Sequence, residues 1–262
     1  MDYINYLILI AVVIYGAWYF YTKVLPRMRE AKDILSNYRM DKNSTLSEKE
    51  QRMLAIGAAT CEYLLGFHNT LALGESRRRF VTIYLNQRYN LQNTEEVRRE
   101  IEFRLSGQFA SLIPIIYGAA KLEDGTKRKD FLHDAAGDNK DLYEYLLELT
   151  KDLLKQLPEL KRLAIQNDED VLKYGAVGFD AEQAVILARC AFDLGYINER
   201  EAWDYIERAN AMVSKSSLSS WADFGKSYII GRSLMWDSLD AQDATVKLLL
   251  EQEKSPWMRL AW

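Results

Sequence analysis

An uncharged stretch between Asp2 and Lys23 is the feature that most limits what this chain can fold into. Residues 3–22 contain nine strongly apolar residues of the Ile, Leu, Val and Phe types. As a helix, the stretch would span roughly 30 Å, the thickness of the hydrocarbon core of a bilayer. Tyrosines and a tryptophan lie near its ends, as is typical of a membrane interface. The stretch therefore predicts a single transmembrane helix.

Two other interpretations of this stretch are weaker. A cleaved signal peptide begins with basic residues and ends at small ones, whereas this stretch follows Asp2 and has bulky aromatic residues after Ala17. A buried helix of a water-soluble domain is seldom uncharged over about twenty residues. Basic residues follow the stretch and none precedes it, so the positive-inside rule predicts an outside N-terminus and a cytoplasmic body at a bacterial inner membrane. These basic residues are Lys23, Arg27, Arg29 and Lys32.

The remainder of the chain has the composition of a folded domain. We predict an anchor over residues 1–25, a juxtamembrane helix and linker over 26–45, and a domain over 46–262. That domain has either one core or two packed lobes, 46–166 and 167–262. The formal net charge of −4 argues against nucleic acid as a partner. Cys61 and Cys190 lie in apolar helical patterns, which predicts buried free thiols in a reducing compartment.

The pattern of residues predicts an all-α fold, with a compact multi-helix domain after the anchor. Ser47 with Glu50, and Asp180 with Gln183, resemble capping boxes that begin helices. The second of these helices should end at Gly195, a typical residue after a helix C-terminus. Further helix starts are predicted at Thr94, Asn198 and Ser220, and one helix is expected to end before Pro158.

Several short motifs carry a resemblance to a known family. They are Gly178-Phe179-Asp180-Ala181-Glu182-Gln183-Ala184, Leu187-Ala188-Arg189, Gly195-Tyr196-Ile197, Glu201-Ala202-Trp203, Ser219-Ser220-Trp221, Phe224-Gly225-Lys226-Ser227-Tyr228, Gly231-Arg232 and Ser255-Pro256-Trp257. Together they resemble the bacterial domain-of-unknown-function 1266 family over about residues 46–262. The resemblance implies a helical domain and a recurring set of residues, but no reaction.

The candidate site lies in the C-terminal helices. Arg189 lies in an apolar helix and needs a partner, because a lone buried charge is very costly. The carboxylates of Asp180, Asp193, Glu201 and Asp223 are the candidates. One interpretation is a structural arginine–carboxylate network, and the other is a pocket in which Arg189 or Arg232 binds an anionic group between aromatic walls. The candidate residues are Asp180, Arg189, Glu201, Trp203, Trp221, Tyr228 and Arg232.

Common catalytic and cofactor motifs are missing from the sequence. His68 and His133 are the only histidines, and neither has metal-ligand spacing. Gly225-Lys226-Ser227 resembles the end of a P-loop, but Ser220 stands where the first glycine of that motif is needed. We therefore predict no metal and no cofactor.

Three hypotheses about function follow, of which the third is a lipid-contacting module that uses the basic clusters at residues 77–79 and 127–129. The first is a membrane-anchored interaction or accessory module, related to immunity or stress, that contacts the bilayer through residues 3–22 and binds a protein partner. The alternative is an enzyme or a domain that binds a small anionic ligand through arginine, carboxylate and aromatic side chains in the C-terminal helices. The sequence leaves open whether the chain is an enzyme.

Overall fold

The computed structural model describes residues 15–16, 18–24, 38–235 and 239–262. The chain divides into two compact units, Met1–Arg39 and Met40–Trp262. In the first unit the described residues include a five-residue π-helix, Phe20–Val24. The second unit is helical, and no strand occurs among the residues that the structure describes. The prediction of an all-α domain is confirmed, while the predicted domain boundaries stay predictions.

The predicted transmembrane helix is wrong for the described part of the chain, where no helix is long and apolar enough to cross a membrane. The described residues of the stretch are 15–16 and 18–22, and they are exposed. They are mostly Tyr, Trp, Thr and Gly, which contribute little apolar character. Residues 3–14 and 17 of the stretch, and residues 25–37 of the predicted juxtamembrane helix, lie outside the described residues. The membrane location, its orientation and contact with the bilayer stay predictions.

Thirteen α-helices are described in the second unit. The first seven are α1 Glu48–Ala55, α2 Ala58–Tyr63, α3 Arg78–Tyr89, α4 Thr94–Leu105, α5 Gln108–Ala120, α6 Gly125–Ala136 and α7 Lys140–Leu163. A 3₁₀ turn, Glu75–Arg77, precedes α3. The other six are α8 Asp170–Tyr174, α9 Val177–Leu194, α10 Glu199–Ser214, α11 Trp221–Ser233, α12 Asp240–Glu251 and α13 Pro256–Arg259.

Helix α9 is the centre of this unit. Every residue from 178 to 191 is buried, and α3, α4, α10 and α11 all pack against this helix. A helix that is buried on all sides has no solvent-facing stripe for charged residues. The charged side chains in this part of α9, Asp180, Glu182 and Arg189, are therefore forced into the core, where each needs polar partners.

Local capping explains where several helices begin. The capping box of Ser47 and Glu50 is confirmed, as are the caps at Asn198 and Ser220. Helix α4 is capped by Asn93 instead of Thr94, because the Asn93 side chain accepts the N–H of Glu96 at 3.0 Å.

The predicted helix start at Asp180 and the predicted helix end before Pro158 are wrong. Asp180 does not cap α9, because that helix already begins at Val177 and places Asp180 inside it. Helix α7 continues through Pro158 to Leu163. Burial of Leu160 beyond the proline offsets the hydrogen bond that proline cannot make. The predicted C-terminal glycine of α9 is confirmed, since Gly195 has a φ of +78°, a conformation that glycine adopts without steric cost.

Candidate functional site

Helices α2, α3, α11 and α12 surround a cavity of about 610 Å³. This volume lies within the usual range for small-molecule sites, about 300–1,000 Å³. Thr60 and Tyr228 lie on its wall. We call it the Arg88/Arg232 cavity after the two arginines that line it. Its lining residues are Ala59, Thr60, Tyr63, Leu64, Phe80, Ile83, Tyr84, Gln87, Arg88, Tyr228, Arg232, Ala241, Gln242 and Thr245.

The cavity is positively charged. Arg88 and Arg232 come from different helices, and no Asp or Glu is among the described lining residues. Arg88 is exposed, but partial loss of hydration and the Arg232 guanidinium lower its pKa from the usual value. Arg232 is only 8% exposed, and its guanidinium carbon lies 5.8 Å from the ring centre of Tyr228. Two cations therefore face one space, which favours an anion there.

A buried carboxyl group lies directly behind this wall. The backbone N–H of Thr60 donates to Oε1 of Glu182 at 2.9 Å, and the side chain of Gln183 donates to Oε2. Burial raises the pKa of Glu182. Hydrogen bonds from Thr60 and the positive charge of Arg232 oppose that increase. Glu182 thus links the central helix α9 to the cavity wall without lining the cavity.

Aromatic side chains form much of the rest of the wall. The ring centres of Tyr63 and Tyr84 are 6.4 Å apart, and those of Tyr84 and Tyr89 are 5.6 Å apart in an edge-to-face arrangement. Burial raises the pKa of Tyr84 and Tyr228, so both phenols keep their protons at neutral pH and can donate hydrogen bonds.

Arg189, the predicted centre of the site, does not line the cavity and contacts a loop instead. It is fully buried and donates to the backbone carbonyl oxygens of Leu71 at 3.1 Å, of Thr70 at 2.9 Å, and of Phe67. These bonds hold the loop of residues 64–74 against α9. Carbonyl groups of an irregular loop lack helix partners, so a buried guanidinium satisfies several of them at once.

The carboxylates that were candidates for pairing with Arg189 have other hydrogen-bond partners. Asp193 accepts the N–H of Leu73 at 3.0 Å and so binds the same loop. Glu201 forms an ion pair with Arg98, with Oε1 and Nε 2.5 Å apart. Asp223 accepts from the N–H of Ser219 at 3.1 Å, at the start of α11, and Asp180 accepts the N–H of Ala110 at 2.9 Å.

Trp221 belongs to an aromatic cluster at the C-terminus. Its ring stacks on Trp257, with centres 5.4 Å apart and planes inclined by 7°. The indole N–H of Trp221 donates to the carbonyl of Leu260 at 2.9 Å, and that of Trp257 donates to Ala55 at 2.8 Å. This cluster attaches the C-terminal segment to α1 and α11. Trp203 is half-buried on α10 and does not line the cavity.

Of the predicted site residues, the structure brings only Tyr228 and Arg232 together in the cavity. The sequence analysis missed Thr60, Tyr84, Arg88 and the supporting Glu182. Glu182 had a usable signal, because it is a charged residue in the same apolar helix that drew attention to Arg189. Arg88 had none, since an arginine near the end of a polar helix normally faces solvent.

The two cysteines are buried free thiols, as predicted. Cys61 is next to His68, whose Nε2 is 3.0 Å from Oε2 of Glu62. Burial favours a neutral His68, but the interactions with Cys61 and Glu62 outweigh burial and raise its pKa to about 9. Cys61 has no exposed surface, so we assign this cluster to the core. No group of residues suited to hold a metal ion occurs in the described part of the chain.

Asp180 should make stability depend on pH. Burial raises the pKa of its carboxyl from 3.8 to about 7, although the N–H of Ala110 opposes the increase. Between those values the folded state holds a proton that the unfolded state has lost, so the free energy of unfolding falls as pH rises, by at most about 1.4 kcal/mol per pH unit. Above about pH 7 the buried carboxyl is ionised, and the loss in the free energy of unfolding reaches its full value.

We expect Asp180→Asn to remove that pH dependence, because the amide oxygen can still accept from Ala110 but does not titrate. Urea unfolding of the original protein and the variant from pH 4 to pH 8 measures the free energy of unfolding of each. The variant should gain stability relative to the original protein as pH rises, even if the two differ at pH 4. A constant difference across the range would contradict the assignment.

A family model described as "Protein of unknown function (DUF1266)" matches residues 84–262. The match begins later than the resemblance near residue 46 had indicated, and it includes α9 and both arginines of the cavity. No curated protein and no solved structure matches the chain.

Proposed function

We propose that this chain, which belongs to the DUF1266 family, binds a small anionic molecule in the Arg88/Arg232 cavity. The observation that carries the proposal is a pair of guanidinium groups facing one cavity, with no carboxylate among its described lining residues. This is a form of the alternative hypothesis that the sequence left open. The interaction or accessory role, and its protein partner, stay predictions.

Electrostatics supports an anion as the ligand. An anion bound in the cavity would be attracted to both guanidinium groups. Guanidinium groups donate in a planar fork that matches carboxylate and phosphate oxygens. The hydroxyls of Thr60 and Tyr228 also line the cavity, and hydroxyl groups can donate hydrogen bonds to an anion.

The test is to titrate the full chain with inorganic phosphate and to detect binding by ³¹P NMR. We expect Arg232→Gln to weaken binding by roughly tenfold or more, because a hydrogen bond to a charged group contributes about 1.5–3 kcal/mol. Arg88→Gln should weaken binding less, since Arg88 is exposed and water screens its charge.

Two further variants make this result interpretable. Arg98→Gln removes an arginine that lines no part of the cavity and should bind phosphate as the original protein does. Arg232→Lys keeps the charge but loses the fork, so its affinity should fall between those of the original protein and Arg232→Gln. Thermal melting of each variant checks folding. Equal phosphate binding by folded Arg232→Gln and the original protein would overturn the proposal.

A further inference from the structure

We propose that the ligand of the Arg88/Arg232 cavity combines an anionic group with a flat, nitrogen-containing aromatic ring, as nucleoside monophosphates do. This inference rests on the proposed function and specifies its ligand class. The inference follows from three features of the cavity: exposed aromatic side chains, side-chain amides, and a volume larger than a simple anion occupies.

The exposed aromatic side chains are the first feature. Tyr63 is 76% exposed and Phe80 is 54% exposed, and both line the cavity. Two exposed aromatic side chains beside one cavity offer apolar surface that suits a partner ring. Bases stack on such rings, and each stacked base strengthens binding by about fivefold or more.

The amides are the second feature. Gln87 on α3 and Gln242 on α12 line the cavity from different helices. A side-chain amide carries both donors and an acceptor, which is the combination that hydrogen-bonds to the edge of a nucleobase. A nucleobase offers ring nitrogens and exocyclic groups to such amides.

The volume is the third feature. The cavity of about 610 Å³ lies in the middle of the range of about 300–1,000 Å³ for sites that hold small organic molecules. An inorganic anion bound at Arg88 and Arg232 would leave most of this space to water. A ligand that also reaches Tyr63 and Phe80 would fill it and bury the aromatic faces.

Calorimetric titration of the full chain separates the two parts of the ligand. The probes are the adenine, guanine, cytosine and uracil nucleoside 5′-monophosphates, ribose 5-phosphate, which lacks the base, and adenosine, which lacks the anion. We expect the best monophosphate to bind at least fivefold more tightly than ribose 5-phosphate, and more tightly than adenosine. The Arg232→Gln variant should weaken both kinds of phosphate but leave adenosine unaffected.

Substitutions of exposed aromatic residues inside and outside the cavity test the stacking contribution. Tyr63→Ala and Phe80→Ala should each weaken the best monophosphate about fivefold without changing the affinity for ribose 5-phosphate, and both should fold because these side chains are exposed. Phe131→Ala, an exposed aromatic position outside the cavity, should change neither affinity.

The possible failures are distinguishable. If no monophosphate exceeds ribose 5-phosphate by fivefold, the inferred ring is wrong, while phosphate binding that depends on Arg232 keeps the proposed function. If inorganic phosphate and every other phosphate fail to bind, both proposals are overturned.

Discussion

Arg189→Met is expected to lower the free energy of unfolding by about 3–5 kcal/mol. The side chain is fully buried and donates to the carbonyl oxygens of Phe67, Thr70 and Leu71. Methionine has a similar length but no donor, so these acceptors would lose their partner, and each buried acceptor left unpaired costs about 1–3 kcal/mol. Not all of this cost is realised, because the loop of residues 64–74 can relax toward water.

Chemical denaturation with two companion variants tests this expectation. Arg189→Lys retains the charge, but its compact ammonium lacks the planar fork that reaches several carbonyl groups. Its stability should therefore lie between that of the original protein and that of Arg189→Met. Arg98→Met removes an exposed arginine whose side chain is 50% accessible, and solvent screening should leave its stability nearly unchanged. A fully stable Arg189→Met protein would mean that the loop does not depend on the guanidinium.

Gly231→Ala is the second substitution with a large expected effect, because α9 and α11 approach each other closely at this position. A Cβ atom on residue 231 would lie 2.2 Å from Cβ of Phe179. Phe179 is itself buried, and its Cβ is fixed by the backbone of α9, so the two helices would have to separate. Overpacking of a core costs about 1–3 kcal/mol and sometimes more, and we expect about 3 kcal/mol or more here.

Gly178→Ala tests the same helix crossing from the other side. Its Cβ would lie 2.8 Å from the backbone oxygen of Phe224, and the N–H of Gly178 donates to Oγ of Ser227 at 2.8 Å. A similar loss of stability is expected.

Gly125→Ala is the matched control for both glycine substitutions. It adds a methyl group at the start of α6, where nothing lies within 4 Å, and should be neutral or slightly stabilising. Thermal unfolding of the three variants shows whether the crossing of α9 and α11 tolerates an added methyl group. Comparable melting temperatures for Gly231→Ala and Gly125→Ala would show that the helices tolerate separation.

The close crossing of α9 and α11 also matters for the cavity. Gly231 immediately precedes Arg232, and Phe179 lies three residues before Glu182. Close approach at the glycine therefore brings the arginine on α11 near the carboxyl group on α9, whose pKa responds to the charge of Arg232. We expect Gly231→Ala to weaken phosphate binding as well.

Features that depend on neighbours in the chain could be predicted. The Ser47 capping box, the caps at Asn198 and Ser220, and the glycine that ends α9 each involve residues within a few positions of one another. The buried thiols followed from apolar helical patterns. The transmembrane prediction used the length, apolar content and aromatic ends of one stretch, and no helix in the described part of the chain meets the length and apolarity that a span needs.

The role of Arg189 shows where such reasoning stopped. The sequence indicated correctly that a buried arginine needs partners, and it suggested carboxylates because charged side chains can be recognised in a sequence. The actual partners are backbone carbonyl groups of a loop more than one hundred residues away. Every residue has a carbonyl group, so residue identity carries no information about which ones will accept.

The sequence by itself determined the helical class, several helix ends and the presence of charged groups that had to be buried. Only the tertiary structure decided which of those groups face a cavity. The Arg88/Arg232 cavity takes its wall from residues 59–64, 80–88, 228–232 and 241–245, and their meeting depends on how α2, α3, α11 and α12 pack together. Capping acts over one helical turn and depends on residues that are neighbours in the sequence. Packing depends on the combined shapes of side chains that are distant in the sequence.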